Sequence, residues 1–254
     1  MHLDTSFQML TNNDTKLINS LVKKKFRQKY NNFIVEGVKI IDETLKSPLK
    51  IHKIFSTEAI FKGFESQTEI ISERDLKKIS QLVTPNTALA LCEIPQEKPI
   101  QTEGFILVLD DIRDPGNLGT IIRMADWFGI EQIICSHETV DVYNQKTIQS
   151  TMGSFLRVQM NYTDLKEFFK HYNHPVLGTF MEGKNIYQSE FPENAAMILG
   201  NEANGISEDL FPFITQKISI PRFGKKQQTE SLNVAMATGI ILSERASQDS
   251  SKNS

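Results

Sequence analysis

The sequence contains few cysteines and no long apolar segment. Only 2 of its 254 residues are cysteine. Cys92 and Cys135 lie in apolar runs without CxxC spacing, which predicts small buried side chains in a reducing compartment. The longest nearly uncharged apolar stretch, residues 234–242, is far shorter than the ~20 residues that a membrane helix needs. The amino-terminal residues are too polar for a secretory signal, so we expect a cytoplasmic protein that does not bind membranes.

The short motifs of several common enzyme classes are also missing. The sequence contains no GxGxxG, no GxxxxGK followed by Ser or Thr, and no GxSxG, so dinucleotide-binding, P-loop and hydrolase sites have no support. His171 and His174 are three residues apart, but no nearby cysteine or acidic pair completes a metal shell. We interpret both as surface histidines and expect no metal cofactor.

The charges nearly balance, except in one segment. The chain has 28 Lys and Arg against 31 Asp and Glu, a net charge of −3, with 39% hydrophobic residues, which is typical of a globular chain of one or two domains. One stretch without an acid nevertheless concentrates positive charge, at Lys16, Lys23, Lys24, Lys25, Arg27 and Lys29. Its apolar spacing predicts an amphipathic helix over residues 16–29. The cations either bind a partner or simply form a solvated helix face.

The pattern of apolar segments predicts two domains. Short strand-like pieces near residues 33–35, 51–55 and 88–92, with a helical pattern between the first two, indicate a small α/β domain over residues 1–98. A proline-containing linker follows. Residues 99–246 alternate strands that are apolar on both faces with helices, which predicts a parallel sheet flanked by helices. The polar residues 247–254 are expected to form a disordered tail.

The first of three candidate site segments follows the predicted strand Phe105–Leu109. Asn117 is well placed to cap the helix that starts at about Leu118. The apolar stripe of this helix points toward the sheet, and Arg123 lies roughly 150° away from that stripe. An isolated arginine at such a position is usually solvated, so this segment alone does not define a site.

The other two segments follow later strands. Gly200, Glu202 and Gly205 come after the strand Ala195–Leu199, where glycines let backbone approach a ligand. In the third segment Ser231 is a natural helix cap, and Asn233 is a polar residue on an otherwise apolar helix and needs a partner. An ordinary strand-to-helix turn uses similar residues. The carboxyl ends of parallel strands are nevertheless where such sheets bind ligands.

Taken in order, these segments read N-x-G-x-I-x-R-x-A-x-x-F-G, then L-G-N-E-x-x-G-I, then I-P-x-x-G and S-L-N-V-A. They resemble the three motifs of the SpoU (TrmH) family of SPOUT RNA methyltransferases, over Gly104 to about Ala246. Residues 21–37 resemble the substrate-binding domain that precedes the catalytic domain in ribosomal RNA members. The resemblance implies an α/β fold with a carboxyl-terminal trefoil knot, preceded by a small α/β RNA-binding domain. It also implies a homodimer that uses S-adenosylmethionine to methylate ribose 2′-hydroxyls of structured RNA.

The resemblance also implies roles for individual residues. The cofactor contacts fall on Thr179, Leu199, Gly200, Asn201, Gly205, Ile220 and Leu232. The catalytic set falls on Arg123, Asn117, Glu202, Ser231 and Asn233. Because guanidinium stays protonated in proteins, we expect Arg123 to clamp a phosphate and polarise the ribose hydroxyl rather than act as a base. The RNA-binding role of the basic segment falls on Lys23, Lys24, Arg27 and Lys29.

Two departures from the family pattern and three alternatives remain. Met124 stands where the family usually has Ser or Thr, and six residues rather than about three separate Gly224 from Ser231. Large-subunit ribosomal RNA is favoured as substrate by the amino-terminal domain, with tRNA as the alternative. A catalytically silent RNA-binding ribosome-assembly factor would keep the fold but not bind the cofactor. A small-molecule enzyme would not need the basic segment. We expect no binding to DNA.

Overall fold

The computed structural model describes residues 9–224 and 231–252. The chain forms two compact units. Of the described residues, the first unit comprises 9–96 and 143–156, and the second comprises 97–142, 157–224 and 231–252. The sequence placed the boundary between residues 98 and 99 and did not predict the transfer of residues 143–156 to the first unit.

The first unit is a four-stranded sheet with helices. Its helices are α1 (Asn12–Ser20), α2 (Lys24–Tyr30), α3 (Val38–Leu45) and α4 (Glu73–Ile79), and its strands are β1 (Asn32–Glu36), β2 (Ile51–Ser56), β3 (Thr68–Ile70) and β4 (Ala88–Glu93). The strand order is β1-β4-β2-β3, with β4 antiparallel to both neighbours and β3 parallel to β2. The small α/β domain predicted from the sequence is therefore present.

The predicted single helix over residues 16–29 is wrong, because α1 and α2 are separate helices. The chain turns between them at residues 21–23, where the amide of Leu21 still bonds to carbonyls of α1. Arg27 closes this corner: its Nη1 donates to the carbonyl oxygens of Leu21 at 2.7 Å and Val22 at 2.9 Å. The Arg27 side chain is only 3% exposed. The predicted RNA contact of Arg27 is therefore wrong, because its guanidinium is buried against backbone carbonyls.

Residues 143–156 belong to the first unit through both polar and aromatic contacts. They form a short helix, α6 (Gln145–Thr151), and a 3₁₀ turn at Ser154–Leu156. Gln145 donates to the buried Glu36 carboxylate, and Gln149 Nε2 donates to the Glu36 carbonyl oxygen at 2.8 Å. The Phe33 ring packs against the rings of Tyr143 and Phe155. These partners are more than a hundred residues away in sequence, so local pattern does not reveal them.

The second unit contains the parallel sheet. Its strands are β5 (Phe105–Leu109), β6 (Gln132–Cys135), β7 (Gln159–Tyr162), β8 (Val176–Asn185), β9 (Ala195–Leu199) and β10 (Gln216–Ser219). Its helices are α5 (Pro115–Trp127), α7 (Leu165–Lys170) and α8 (Val234–Lys252). A 3₁₀ helix at Glu208–Phe213 lies between β9 and β10.

All strand pairs of this sheet are parallel, in the order β10-β8-β9-β5-β6-β7. Every residue of β5, β6 and β9 is buried, as expected for strands covered on both faces. The predicted parallel α/β sheet is confirmed. The trefoil knot stays a prediction, because strand order by itself does not describe how the chain is threaded.

The carboxyl-terminal residues extend the last helix. Helix α8 continues to Lys252, so the predicted disordered tail is wrong for residues 247–252. Gln248 fastens this end: its Nε2 donates to the Ser189 carbonyl oxygen at 2.8 Å, and its Oε1 accepts from the Phe191 amide at 3.3 Å. Polar composition alone does not show this docking.

Two further sequence expectations concern cysteines and membranes. Cys92 and Cys135 are free and buried, as predicted. Burial raises the pKa of both thiols far above its ordinary value, because the thiolate is poorly solvated in an apolar interior. Within the part of the chain that the structure describes, no helix combines the length and apolarity needed to cross a bilayer.

Candidate active site

A cavity of about 1120 Å³ opens beside the carboxyl ends of β9 and β10. Its lining comes from β8, from the chain after β9 including Phe211, from the end of β10 and the residues after it, and from the start of α8. All of the predicted cofactor contacts belong to its lining, namely Thr179, Leu199, Gly200, Asn201, Gly205, Ile220 and Leu232. Glu202 and Ser231 of the predicted catalytic set line it too. The second and third sequence motifs therefore meet at this cavity, whereas no residue of the first motif belongs to its lining.

An irregularity in β8 brings Thr179 to this cavity. On β10, Lys217 pairs with Gly178, but the next residue, Ile218, pairs with Lys184. Residues 179–183 therefore leave the ladder, as the extra residues of a bulged strand do. Close to the end of this excursion, Ser219 Oγ donates to the Gly183 carbonyl oxygen at 3.0 Å. The excursion explains how residues inside a strand line a site at its edge.

The turn after β9 depends on its glycines. Gly205 adopts a positive φ of 70°, a conformation that suits glycine. The backbones of Asn201 and Gly205 pair with each other through two hydrogen bonds of 3.0 and 2.8 Å. A Cβ at Gly200 would collide with the backbone of Gly205 and Ile206. Gly200 is thus required by the fold of the turn itself, and not only by close approach of a ligand.

Asn201 uses its side chain to hold two of the motif loops together. Its Nδ2 donates to the Asp111 carbonyl oxygen at 2.8 Å, and its Oδ1 accepts from the amides of Ala203 and Asn204 at 2.9 and 3.1 Å. Nearby, the buried Asp110 carboxylate accepts from the Ser207 amide at 2.7 Å. The loop after β5 and the loop after β9 are therefore bound to each other beside the cavity.

The predicted cap of α5 is wrong. Asp114, and not Asn117, caps the helix, because Asp114 Oδ1 accepts from the Asn117 amide at 2.8 Å and Pro115 occupies the first turn, where proline is favoured. The Asn117 side chain is consequently available for other contacts. Its Nδ2 donates to Glu202 Oε1, and its Oδ1 accepts from Asn233 Nδ2 at 2.9 Å.

The predicted cap of α8 also requires correction. Asn233, and not Ser231, caps it: Asn233 Oδ1 accepts from the amides of Ala235 at 3.0 Å and Met236 at 3.2 Å. This satisfies two amides that a helix start leaves without partners. Asn233 therefore connects the start of α8 to Asn117, and Asn117 connects to Glu202. The structure joins three of the five predicted catalytic residues in one hydrogen-bonded row.

Arg123 lies apart from this row. It is six residues beyond Asn117, about 9 Å further along the axis of α5, and it is exposed and outside the cavity lining. The opposite face of α5 is buried, through Leu118, Gly119, Ile121, Ile122 and Ala125, as predicted. Trp127, one turn beyond Arg123, is 82% exposed. Among the described residues, Arg123 has no ion pair or hydrogen bond through its side chain.

Met124, where the family pattern has Ser or Thr, has a packing role. A Cβ placed on Gly239 of α8 would lie 3.5 Å from Met124 Sδ. The sulfur therefore packs against α8 at a position where a residue without a side chain leaves room. The longer loop at residues 225–230, the other departure, lies outside the described residues.

Several lining residues were not identified from the sequence. They include Phe211, Arg222 and Phe223, and Phe223 projects an exposed ring beside the cavity. Leu232 is also partly exposed, at 47%. Arg222 and Phe223 stand between Pro221 and Gly224 within the third motif, so their position in the motif was a usable signal. No sequence signal indicated Phe211, which the 3₁₀ helix brings to the site.

The charged side chains outside this row include exposed lysines, an Arg–Asp pair and a His–Glu contact. Lys23, Lys24 and Lys29 of the basic segment are exposed, unlike Arg27. Beside the cavity loops, Arg113 Nε donates to Asp111 at 2.7 Å, and this hydrogen bond raises the pKa of Arg113. His174 contacts Glu103 at 3.3 Å. In the described ranges, no group of three or more His, Cys, Asp and Glu side chains is arranged to hold a metal ion.

Comparison with known protein families gives two matches. Residues 104–243 match the model of the SpoU rRNA methylase family, and residues 12–90 match an MRM3-like substrate-binding domain. The chain is 33% identical over 228 residues to the 23S rRNA (guanosine(2553)-2′-O)-methyltransferase RlmP of Bacillus subtilis, covering 86% of this chain and 90% of that one. It is 32% identical over 155 residues to RlmB of Neisseria meningitidis, a 23S rRNA (guanosine-2′-O-)-methyltransferase, covering 59% and 60%.

Solved structures give the same result. An AdoMet-bound rRNA methyltransferase from Sinorhizobium meliloti superposes with a TM-score of 0.84 at 28% identity, covering 95% of this chain and 97% of that one. A TrmH-family protein from Porphyromonas gingivalis gives a TM-score of 0.86 at 34% identity, covering 95% and 100%. The fold and the site thus define an RNA methyltransferase. Within that class, the chain belongs to the SpoU rRNA methylase family.

Proposed function

We propose that this protein transfers a methyl group from S-adenosylmethionine to a ribose 2′-hydroxyl of large-subunit ribosomal RNA. The observation that carries the proposal is the convergence of the second and third motifs on one cavity, with Asn117 of the first motif joined to the lining residue Glu202 in the hydrogen-bonded row Asn233–Asn117–Glu202. The names of the relatives RlmP and RlmB support ribosomal RNA as substrate.

The cavity has the chemistry that the cofactor needs. Ile220, Leu232 and Phe223 supply apolar surface, and the chain turns of residues 199–206 supply backbone donors and acceptors along one edge. A flat, apolar slot edged by a few polar groups suits adenine. S-adenosylmethionine, when bound, supplies an electrophilic methyl group. We assign its binding to the seven predicted lining residues.

The polar row has the task of orientation. Direct transfer needs the ribose oxygen in line with the methyl carbon, at about 3 Å. Asn117 and Asn233 hold the Glu202 carboxylate in one position, and Ser231 lies on the same cavity wall. We assign Glu202 and Ser231 the role of accepting hydrogen bonds from ribose hydroxyls. Arg123 clamps the neighbouring phosphate and polarises the target hydroxyl, because guanidinium binds phosphate with two parallel hydrogen bonds.

A homodimer accompanies this proposal. The packed pair of helices α5 and α8 exposes Trp127 and Met236, the latter 63% exposed. Arg123 and Trp127 are four residues apart and so share a face of α5. A second copy that covered this face would bury the apolar side chains and bring Arg123 into the interface. Light scattering of the Trp127→Glu variant tests the dimer, which we expect to dissociate.

The substrate assignment also predicts where the enzyme acts. Ribosomal RNA assembled in the cytoplasm is the substrate, so we assign the protein to the cytoplasm. DNA lacks the 2′-hydroxyl and is not a substrate. We assign phosphate contacts to Lys23, Lys24 and Lys29, because each lysine that neutralises a phosphate releases counterions and so strengthens RNA binding.

One experiment tests the proposed function. Total RNA from cells with and without the gene is mapped for 2′-O-methyl groups, and the purified protein is incubated with the RNA that lacks them and with labelled cofactor. We expect one ribosomal site to lose and then regain its methyl group. A site in tRNA would move the substrate assignment to tRNA. Absence of cofactor binding in isothermal titration would instead indicate a silent RNA-binding protein.

A further inference from the structure

Helix α2 carries two aromatic rings on its surface, and a lysine ammonium group lies over each ring. The rings of Phe26 and Tyr30 stack with centroids 6.2 Å apart and planes 15° from parallel. Lys25 Nζ lies 5.1 Å from the Phe26 centroid, and Lys29 Nζ lies 5.4 Å from the Tyr30 centroid. Tyr30 is 42% exposed. We call Lys23, Lys25, Phe26, Lys29 and Tyr30 the α2 patch.

The α2 patch lies in a segment with no compensating acid. Between Asp14 and Glu36 the sequence has six cations and no carboxylate. Glu36 itself is buried, and its carboxylate accepts from Ser80 Oγ at 2.6 Å and the Gln81 amide at 2.9 Å. The positive charge of the patch therefore faces solvent without a neighbouring negative charge in this stretch, which favours a polyanionic partner.

The patch also has a fixed position in its unit. Arg27, on the buried side of α2, ties the helix to the preceding turn through two backbone carbonyls. Directly after Tyr30, Asn31 adopts a left-handed conformation with φ of 52°, and β1 begins at Asn32. Tyr30 is thus the last residue of a helix that is held at both ends. Because the backbone that carries the Tyr30 ring is already held in place, the binding of a flat partner to this ring costs little conformational entropy.

The combination of rings and ammonium groups distinguishes among polyanions. Proteins that bind unpaired nucleic acid use lysines along the backbone and aromatic rings on which bases stack. In paired RNA the base faces are hidden inside the helix, so a ring has nothing to stack on. The phosphates of a duplex would contact the lysines, but the duplex would offer no base face for the aromatic ring.

We propose that the α2 patch binds an unpaired nucleotide of the RNA, with the base stacked on Tyr30 and the adjacent phosphates held by Lys23, Lys25 and Lys29. This inference rests on the proposed function in taking RNA as the substrate. It adds that the substrate exposes an unpaired base to the first unit, at a contact that takes no part in the methyl transfer step.

Fluorescence anisotropy with the full-length protein tests the stacking. The probes are a labelled unpaired RNA of about 12 nucleotides, within the site size of single-strand binding proteins, and a duplex of the same length. We expect Tyr30→Leu to weaken binding of the unpaired RNA by about tenfold, within the range measured for one base stacked on one ring. Tyr30→Phe and Tyr30→Trp should bind as the wild type does.

Controls separate stacking from a loss of fold and from charge. Ile60→Ala removes another partly exposed apolar side chain in the same unit and should leave RNA binding unchanged. Changing Lys23, Lys25 and Lys29 together to Gln should lower the salt slope by about 2, at roughly 0.7 per charge for single strands. The same change at Lys46, Lys62 and Lys77, exposed lysines of the same unit, should not.

The outcomes distinguish this inference from the proposed function. If Tyr30→Leu, folded by circular dichroism, binds the unpaired RNA as tightly as the wild type, the stacking is overturned, whatever the enzyme methylates. Equal binding of duplex and unpaired RNA would also overturn it, in favour of a purely electrostatic surface. If Tyr30-dependent binding is observed but the wild type methylates no RNA, the inference stands and the proposed function fails.

Discussion

Asn233 Nδ2 donates to Asn117 Oδ1 at 2.9 Å, and this bond determines the orientation of both side-chain amides. The free amides at the start of α8 can only donate, so Asn233 must turn its oxygen toward them and its nitrogen toward Asn117. Asn117 then has only its nitrogen left for Glu202. The row therefore ends at Glu202, whose carboxylate oxygen accepts from Asn117 Nδ2.

Asn117→Asp tests this row. Aspartate has no amide to donate to Glu202 and adds a second negative charge beside it, so the carboxylate loses its position. We expect single-turnover methyl transfer to fall by about 100-fold, the effect of a misplaced group near a reacting centre. Asn13→Asp, on an exposed part of α1, serves as the control with the same charge change. An Asn117→Asp rate within a few-fold of wild type would remove the row from the mechanism.

Arg123→Ala should abolish methyl transfer while cofactor affinity and stability stay nearly unchanged. The Arg123 side chain is exposed and faces away from the buried stripe of α5, and surface substitutions of this kind usually change the free energy of unfolding by about 0.5 kcal/mol or less. Arg123→Lys should fail as well, since one ammonium does not reproduce a two-pronged contact with phosphate. Arg74→Ala, at another exposed arginine, is the control. Activity of Arg123→Ala within tenfold of wild type contradicts the prediction.

Leu232→Asp should weaken S-adenosylmethionine binding before it changes RNA binding. The substitution places a charge on an apolar wall of the cavity, where adenine would have to desolvate it. Isothermal titration measures the affinity, with Val83→Asp as a control at an exposed apolar residue of the first unit. Gly200→Val should also lose the cofactor, but mainly through collision with Gly205 and Ile206. Normal cofactor binding by folded Leu232→Asp would show that the pocket is misassigned.

Arg27→Ala should destabilise the protein without changing the salt dependence of RNA binding. The buried guanidinium satisfies the carbonyls of Leu21 and Val22, and its removal leaves them without these donors. Groups left unsatisfied in this way cost about 1–3 kcal/mol each. Urea denaturation measures the loss, and Lys23→Ala is the control that should leave stability unchanged. A lower salt slope for Arg27→Ala would return Arg27 to the RNA interface.

The two cysteines should resist thiol reagents in the native protein. Burial raises the pKa of Cys92 and Cys135, so the reactive thiolate is scarce at pH 8, below the native pKa. Unfolding returns the pKa of each thiol to its ordinary value near 8.5, so that a substantial fraction of each thiol is ionised at pH 8. Titration with Ellman's reagent should therefore find no fast thiol in buffer and two in denaturant. A rapid reaction in buffer would contradict the burial of that cysteine.

The sequence by itself determined the parallel sheet, and its resemblance to a known family indicated part of the cavity lining. The strands Phe105–Leu109 and Ala195–Leu199 were predicted with the bounds that the structure has, because strands covered on both faces are continuous apolar runs. Seven of the lining residues were predicted from the family resemblance, and most of them belong to motifs that follow strands whose carboxyl ends share one edge of the sheet.

Only the tertiary structure decided which partner each polar side chain has. Asn117 bonds to residues 85 and 116 positions away, and its release from capping depends on Asp114 and Pro115 taking the start of α5. The burial of Arg27 depends on a turn between two helices where the sequence pattern indicated one. Local periodicity records which face of an element is apolar. Hydrogen-bond partners depend on how distant segments meet, and this information is carried by the packing of the whole fold.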